Sequence, residues 1–263
     1  MSWNTAWQYA KGVAAKKGIE SAQKATRKDD GLPLGARIGG LLTLQKTPFV
    51  RAMAGGSLIA IPKETSRIIV SIGHVRLDLD GNLYRYYLAG DTDRVAGEFL
   101  QVYVTADGAV AEVMYCSGLT RLYPESAEEQ EAFMGESGVG LGQTFYTLDR
   151  QQMVDLGIAD ITISEAFGEN DALEYQRDAG NPADEFVSPF RGSETRINDA
   201  QGIDGMAQDI CFMPYVRNLG DTKEYLLVST NIVSSQNGDA TKRGFNVDFM
   251  IGIPVDLDRV MIQ

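Results

Sequence analysis

Apolar and polar residues alternate along residues 68–89 in the pattern that is typical of half-buried β-strands. Apolar side chains recur at every second position from residue 68 to 72 and again, one residue out of phase, from 75 to 79. A shift of this kind at Gly73 and His74 predicts a β-bulge, because a bulge inserts one extra residue into a strand. Asp80 and Gly81 predict a tight turn, and the tyrosines of residues 83–88 suit a returning strand. We therefore predict a long β-hairpin at the centre of the fold.

Similar short patterns predict further strands on both sides of this hairpin. Asp107 and Gly108 mark a second hairpin turn between residues 99–105 and 109–115, and no helix-length pattern occurs from residue 32 to 123. Other predicted strands are residues 39–43, 57–61, 145–148, 161–164, 210–216, 225–232, 246–253 and 255–262. Two hairpins in close succession favour an antiparallel meander that closes into barrel- or sandwich-like sheets.

Helical patterns are short and few after the N-terminus. Residues 124–134 are acidic, and Ser126 with Glu129 matches a capping box; residues 148–156 leave room for one or two helical turns. Residues 168–205 are poor in apolar residues, and so long a loop is either functional or mobile, although residues 172–177 alternate like an edge strand. The predicted fold class is mainly β, a β-rich α+β fold with an N-terminal helix and a short acidic helix.

The chain divides into four predicted segments. Residues 1–31 form a basic amphipathic helical arm, residues 32–123 a first β-rich unit, residues 124–142 an acidic helix with a glycine-rich connector, and residues 143–263 a second β-rich unit packed with the first. In the arm, apolar residues recur at spacings of three and four, which predicts one apolar helical stripe. The candidate interaction residues of this arm are Trp3, Trp7, Lys11, Lys16 and Lys17.

The charge of the chain is divided unevenly. The net charge is −12, yet residues 1–28 carry six basic residues and one acidic residue, so that the other 235 residues carry −17. An acidic body repels phosphates, which argues against binding of nucleic acid. The arm fits docking on the body or on another subunit, weak contact with an anionic membrane surface, or a frayed tail. Docking is favoured because the stripe is short and rich in alanine.

Cysteine and histidine usage restricts the chemistry further. Cys116 and Cys211 are far apart in sequence, which indicates that the chain has no disulfide framework and belongs in a reducing cytoplasm. A single disulfide bond between these two cysteines stays open as an alternative. No apolar run is long enough to cross a bilayer, and no secretory signal is expected. His74 is the one histidine, so a zinc site is not expected and no cofactor is predicted. A dyad of His74 and Cys116 requires that neighbouring strands bring the two together.

The glycine-rich residues 135–142 do not match a nucleotide-binding loop. Phe145 stands where a dinucleotide fingerprint needs glycine, and Leu141 with Gly142 replaces the Lys-Ser/Thr of a P-loop. A flexible connector explains this segment. The pairs of nearby carboxylates in the chain are explained by its high content of acidic residues.

Four stretches resemble the YjfK-like family of uncharacterised bacterial proteins. They are LPLGARIGG (residues 32–40), GHVRLDLDGNLYRYYL (73–88), EYLLVS (224–229) and VDFMIGIPV (247–255). These motifs are turns, strands and aromatic positions, and the resemblance implies no activity and no catalytic residues. It implies a bacterial cytoplasmic protein, and through the family's association with membrane-stress proteins it favours a place near the membrane.

We therefore predict a non-enzymatic interaction or adaptor protein in the cytoplasm, with a peripheral position at the inner face of the membrane as one option. A protein partner or self-association through the arm is expected. The alternative is an enzyme or small-ligand-binding domain whose pocket lies between the β-rich units near His74, with Cys116 as a second pocket candidate. A pocket that holds His74 beside carboxylates would favour this alternative.

Overall fold

The computed structural model describes residues 27–90, 97–235 and 244–263. The five candidate residues of the arm, at positions 3 to 17, lie outside the described residues. The described strands are β1 (Leu41–Leu44), β2 (Ser66–Leu77), β3 (Asn82–Leu88), β4 (Glu98–Val104), β5 (Val110–Leu122), β6 (Phe145–Asp149), β7 (Ala172–Arg177), β8 (Phe190–Ile197), β9 (Gly205–Leu219), β10 (Thr222–Ser235), β11 (Gly244–Pro254) and β12 (Val260–Ile262). The described helices are α1 (Thr47–Ala54), α2 (Ala127–Met134), α3 (Arg150–Asp155) and α4 (Asp160–Phe167), and residues Pro33–Gly35 and Leu257–Arg259 form 3-10 turns.

Eight of the strands in the described residues form a closed ring. The order around the ring is β2-β3-β4-β5-β11-β10-β9, and β8 closes it because it pairs with both β9 and β2. All these pairs are antiparallel. The prediction of a mainly antiparallel β fold is confirmed, and the closed ring gives it a barrel-like form.

The remaining four strands extend the sheet outward from β2 and β9, the two strands that β8 joins. β1 pairs with β2 and with β12, while β7 pairs with β9 and with β6. In the ring, the first predicted β-rich unit supplies β2 to β5 and the second supplies β8 to β11. The two halves join where β5 pairs with β11 and where β2 pairs with β8. The units therefore contribute to one continuous sheet.

The predicted hairpin of residues 68–89 is confirmed as β2 and β3, but the predicted bulge at Gly73 and His74 is wrong. Those two residues pair regularly with β3, and the register shifts instead at Val70. The change of phase has another cause: Ile72 packs in the core outside the ring, whereas Leu77 packs in the core inside it. A strand that is buried on both faces gives two overlapping apolar periods.

Two apolar cores lie on opposite faces of the ring. Residues directly opposite each other on paired strands project to the same face of the sheet. The pairing of the ring strands therefore places the side chains of the smaller core on the inside of the ring. Its buried members are Phe99, Met114, Cys116, Phe212, Tyr225, Leu227 and Met250. The larger core covers the outside, where α1, α3 and α4 contribute Phe49, Met153 and Phe167; the ring of Phe49 lies 5.0 Å from that of Tyr115 on β5.

Several predictions of local structure need correction. Residues 161–164 lie in helix α4 and form no strand, residues 57–61 form no strand, and α1 was not expected. Pro48 lies in the first turn of α1, where proline is favoured. The capping box of Ser126 and Glu129 is confirmed in α2. The strand at residues 172–177 is confirmed as β7, but it is not an edge strand, because it pairs with both β6 and β9. Among the described residues, no helix has the length and apolar character needed to span a membrane.

Gly73 is expected to be essential to the closed ring. A Cβ at this position would overlap Glu194 Oε1, and it would lie 3.3 Å from the ring of Tyr87. Gly73→Ala should therefore lower the free energy of unfolding by about 3 kcal/mol, since overpacking and disturbance of a buried ion pair each cost this order. Chemical denaturation measures the change.

Gly244→Ala is the matched control on β11, because a Cβ there meets no atom of the described residues within 4 Å. Its free energy of unfolding should stay within about 1 kcal/mol of the unmodified protein. Equal stability of the Gly73→Ala and Gly244→Ala variants would contradict the packing inside the ring.

Candidate functional site

A cavity of about 250 Å³ opens at one end of the closed ring. Seven of the eight ring strands contribute to its wall, together with the turn that joins β2 to β3 and with Asp178, which follows β7. The lining residues are Val75, Leu77, Leu79, Gly81, Asn82, Leu83, Gln101, Tyr103, Glu112, Met114, Asp178, Phe190, Phe212, Pro214, Tyr225 and Leu227. We name this space the inner cavity.

The walls of the inner cavity are mostly apolar. Met114, Phe212 and Leu227 are buried members of the core inside the ring, and Leu79 at the rim is 45% exposed. They line one space because strand residues at alternate positions share a face, and the inner positions of β5, β9 and β10 meet across the ring. Such a wall favours an apolar ligand.

Two carboxylates give the rim of the inner cavity a negative potential. Partial burial, followed by repulsion from Asp178, raises the pKa of Glu112, while Lys223 opposes this shift. Burial, followed by the charges of Asp178 and Glu112, raises the pKa of Tyr225 to about 12. Because the two carboxylates repel each other across the opening, a cation between them would relieve the repulsion.

Gln101 places a polar group at the buried part of the inner cavity. This side chain is 8% exposed, and its Oε1 accepts a hydrogen bond of 3.2 Å from Arg85 Nε. Its amide nitrogen donates to no atom in the part of the chain that the structure describes. The amide is therefore free to donate to a ligand.

Behind Gln101, a buried ion pair lies inside the ring. Arg85 Nη1 and Glu194 Oε2 are 3.0 Å apart, and both side chains are at most 3% exposed. Glu194 also accepts hydrogen bonds from the Tyr87 hydroxyl at 2.6 Å and from Gln208 Nε2 at 2.7 Å. Burial alone would lower the pKa of Arg85, but the charge of Glu194 together with Tyr87 and Cys116 more than offsets this, and the net pKa lies above its ordinary value.

Arg85 is not fully satisfied by these contacts. Its Nη2 is buried and has no hydrogen-bond partner among the described residues. The guanidinium carbon lies 5.3 Å from the ring centre of Phe99 and 5.9 Å from that of Phe212, so the cation contacts the faces of two aromatic rings. Since Phe212 also lines the inner cavity, the ion pair and the cavity share a wall.

The other end of the ring interior holds a polar network. Asn231 Nδ2 donates to Asp248 Oδ2 at 3.1 Å and to Asn246 Oδ1 at 3.0 Å. Arg121 Nη2 donates to Asp248 Oδ2 at 2.9 Å. These residues bond to one another, so the end with the inner cavity is the better candidate for a ligand.

The structure does not bring His74 and Cys116 together. β3 and β4 lie between their strands, and the two side chains project to opposite faces of the sheet. His74 stacks on Tyr84 outside the ring, with ring centres 4.8 Å apart, and its Nε2 lies 3.0 Å from Asn82 Oδ1. Cys116 is fully buried inside the ring, and this burial raises the pKa of its thiol.

His74 does line a second cavity, an open groove of about 470 Å³ outside the ring. Lys28, Leu32, Arg76 and Tyr84 contribute to the same groove. The described residues that line it include no carboxylate. The acidic groups beside His74 that would favour a ligand pocket there are therefore not found among them.

Another buried carboxylate outside the ring has a structural role. Glu224 is fully buried and accepts hydrogen bonds from the Tyr175 hydroxyl at 2.6 Å, from the Leu58 amide at 2.7 Å and from Arg217 Nε at 2.7 Å. It therefore ties β7, β9 and the chain after α1 to β10. With its donors in place, Glu224 offers little to a ligand.

The residues of the inner cavity were not singled out from the sequence. One signal was present: Arg85 stands in phase with Leu83 and Tyr87 on β3, and a charged residue at an inward position is unusual. Glu194 and Gln101 gave no comparable signal, because neither belongs to a local motif. No group of three or more histidine, cysteine, aspartate or glutamate side chains that could hold a metal ion occurs among the described residues.

The ion pair inside the ring can be tested by removing one charge and then both. Glu194→Gln should lower the free energy of unfolding by roughly 3–5 kcal/mol, because it leaves the Arg85 cation buried without its counter-charge. In the double variant Arg85→Met/Glu194→Gln the loss should be smaller by at least about 2 kcal/mol, since no charge remains buried. Urea denaturation measures both.

The exposed pair of Arg191 and Glu136 serves as the control, because its atoms lie 3.2 Å apart and both side chains are more than half exposed. Glu136→Gln should change the free energy of unfolding by less than about 0.5 kcal/mol. A double variant that is less stable than Glu194→Gln alone would contradict the role of charge burial.

Comparison with known proteins identifies a family. The model of a family described as a protein of unknown function (DUF2491) matches residues 17–260, and the chain therefore belongs to this family. No curated protein and no solved structure gives a significant match.

Proposed function

We propose that this member of the DUF2491 family binds a small, mostly apolar molecule that carries a cationic group, in the inner cavity of its closed sheet. The observation that supports this most directly is the combination of apolar walls with Glu112 and Asp178 at the rim. A ligand of this class would place its apolar part against Phe212 and Leu227 and its cation between the two carboxylates.

The dimensions of the ring support a small ligand. A closed sheet of eight strands has an interior that is either filled by side chains or holds one small ligand. Here side chains fill one part of the interior and a cavity of about 250 Å³ remains, which is below the common range of about 300–1,000 Å³ for drug-sized molecules. We therefore expect a ligand smaller than a drug-sized molecule.

Binding rather than thiol chemistry is favoured by the state of the cysteines. Burial raises the pKa of both Cys116 and Cys211, so that neither thiol is activated as a nucleophile. The polar groups of the inner cavity are suited to recognition, because the Gln101 amide can donate to a ligand and the rim carboxylates can accept from one.

The proposal can be tested with three ligands of equal length: octylamine, octanol and octanoate. Isothermal titration calorimetry should show binding in the order amine, alcohol, carboxylate. The double variant Glu112→Gln/Asp178→Asn should reduce the preference for the amine over the alcohol about three- to fivefold, since an exposed ion pair contributes about 0.2–1 kcal/mol. The proposal would be rejected if none of the three ligands binds. It would also be rejected if the double variant and the unmodified protein prefer the amine over the alcohol equally.

Glu128→Gln/Glu131→Gln is the charge-matched control, because both residues are exposed on α2 and neither lines the inner cavity. It should keep the preference for the amine. In the unmodified protein, the preference should weaken as the pH falls through the raised pKa of Glu112, since protonation removes one of the two rim charges.

A second candidate function, interaction with a protein partner or a membrane surface, is favoured by the division of charge along the chain. The basic residues 1–28 precede a body that carries −17. We infer an adaptor role for the arm in the cytoplasm, through Trp3 and Trp7 with Lys11, Lys16 and Lys17, and we assign the family to the YjfK-like proteins from the four motifs given above. A partner surface beside the membrane agrees with this assignment.

Membrane contact by the arm can be measured by co-sedimentation with vesicles that contain phosphatidylglycerol. The full chain should bind weakly at low salt and less at high salt, because lysine charges attract anionic headgroups only within the screening length. The full-length variant Lys11→Glu/Lys16→Glu/Lys17→Glu should remain in the supernatant. Equal recovery of both proteins in the pellet would contradict contact through the arm.

A further inference from the structure

A second apolar groove lies on the outer face of the ring, away from the inner cavity. It encloses about 250 Å³, and it is formed where β5 and β11 face β6 and α3. The lining residues are Leu119, Thr120, Leu122, Tyr146, Leu148, Gln152, Met153, Asp155, Leu156 and Phe249. We name it the outer groove.

The outer groove exists because of two local features. The register between β5 and β11 shifts between Phe249 and Met250, which leaves Leu119 as an extra residue, and a bulge of this kind bends a strand away from its neighbours. Helix α3 has six residues and covers the sheet incompletely. As a result, Leu122 and Leu156 remain 41% and 40% exposed at the edges of the groove.

The chain around the outer groove carries most of the negative charge of the body. Asp155 lines the groove itself, and residues 125–171, which include α2, β6, α3 and α4, contain eleven carboxylates against the one basic residue Arg150. Arg150 already donates to the backbone carbonyl oxygen of Asn170. An apolar groove with an acidic border is complementary to an apolar segment with basic flanks.

The N-terminal segment of the same chain has this composition. It contains both tryptophans of the protein in its first seven residues and Lys11, Lys16 and Lys17 after them. We propose that residues 3–17 dock on the outer groove of their own chain, with Trp3 and Trp7 against Leu122 and Leu156 and with the lysines toward the acidic border. This proposal rests on the second candidate function, interaction through the arm, and it names the surface that the arm binds.

The length of the chain permits this contact. The described residues begin at Arg27, which is held by Asp29 and by the Ile38 carbonyl oxygen, and Lys28 lies beside β2 in the groove of His74. β2 and β5 are three strands apart around the ring, or roughly 15 Å at the usual strand spacing. The groove residue Leu122 also lies roughly 20 Å further along the strands than Tyr115, which is level with Ile72 beside Lys28. The distance to cover is therefore roughly 25 Å. Residues 18–26 span up to roughly 30 Å when extended, which is enough to reach the groove.

Docking on the body is favoured over a membrane for two physical reasons. The tether gives the arm a high effective concentration at a groove of its own chain, and the acidic body is repelled by an anionic surface. Release of the arm, by contrast, would free its basic residues for an external partner. The outer groove then competes with any such partner for the same segment.

Tryptophan fluorescence tests the proposal directly, because both tryptophans of the chain lie in the arm. In the full-length protein their emission should be blue-shifted and protected from acrylamide. In the full-length variant Leu122→Asp/Leu156→Asp the emission should shift to the red and the quenching constant should rise at least twofold. Exposure of both leucines makes this variant compatible with folding, which circular dichroism verifies.

Leu257→Asp is the matched control, because Leu257 is 48% exposed and does not line the outer groove. It should keep the protection. Protection that is equal in the Leu122→Asp/Leu156→Asp variant would overturn the outer groove as the docking surface while leaving an interacting arm intact. Two results would overturn docking on the body altogether. One is tryptophan emission that acrylamide quenches fully in the unmodified protein, and the other is protection from acrylamide that occurs only on phosphatidylglycerol vesicles.

Two further measurements separate the remaining outcomes. The fluorescence should not change on dilution, and protection that is lost at low protein concentration would overturn docking within one chain in favour of a second copy. The groove variant should bind phosphatidylglycerol vesicles more strongly than the unmodified protein, because its arm is released. Weaker binding of the variant would contradict the competition.

Discussion

The architecture depends on one strand, β8, that completes the ring of the described residues. It pairs with β2 along one edge and with β9 along the other, and it also carries Glu194, the counter-charge of Arg85. Closure and charge neutralisation are therefore linked, because the strand that seals the sheet brings the carboxylate that the buried cation requires. Gly73 on the neighbouring strand β2 leaves the space that this carboxylate occupies.

The closed ring has a core on each of its two faces, and this arrangement separates two possible surfaces for function. The inside contains an ion pair and a polar network and keeps one open cavity. The outside is covered by short helices that leave a groove where β5 is bulged. Since the ring wall lies between them, a ligand inside and a segment outside can bind without direct contact.

Local signals predicted the parts of the fold that local chemistry determines. The capping box of Ser126 and the position of the chain reversal at Asp80 and Gly81 were predicted correctly because each depends on neighbouring residues. The connection is longer than the tight turn expected, since residues 78–81 all lie between β2 and β3. β8 could not be predicted, since Phe190 is followed at the inward positions by Gly192, Glu194 and Arg196, which give no apolar period. In α4, Ile161 and Ile163 alternate with polar residues like a strand, although tertiary packing places them on a helix. The inner cavity was missed because its residues come from seven strands that are far apart in sequence.

The pairing of β2 with β8 has a consequence for how the chain reaches its fold. Ile72 pairs with Ile197, so the ring cannot close during synthesis until most of the chain has left the ribosome. Until then, strands β2 to β5 present unpaired edges and an apolar inner face with a charged arginine. Contacts between residues this distant in sequence slow folding and prolong exposure to aggregation. The architecture that creates a sheltered interior thus makes the nascent chain dependent on protection while it is incomplete.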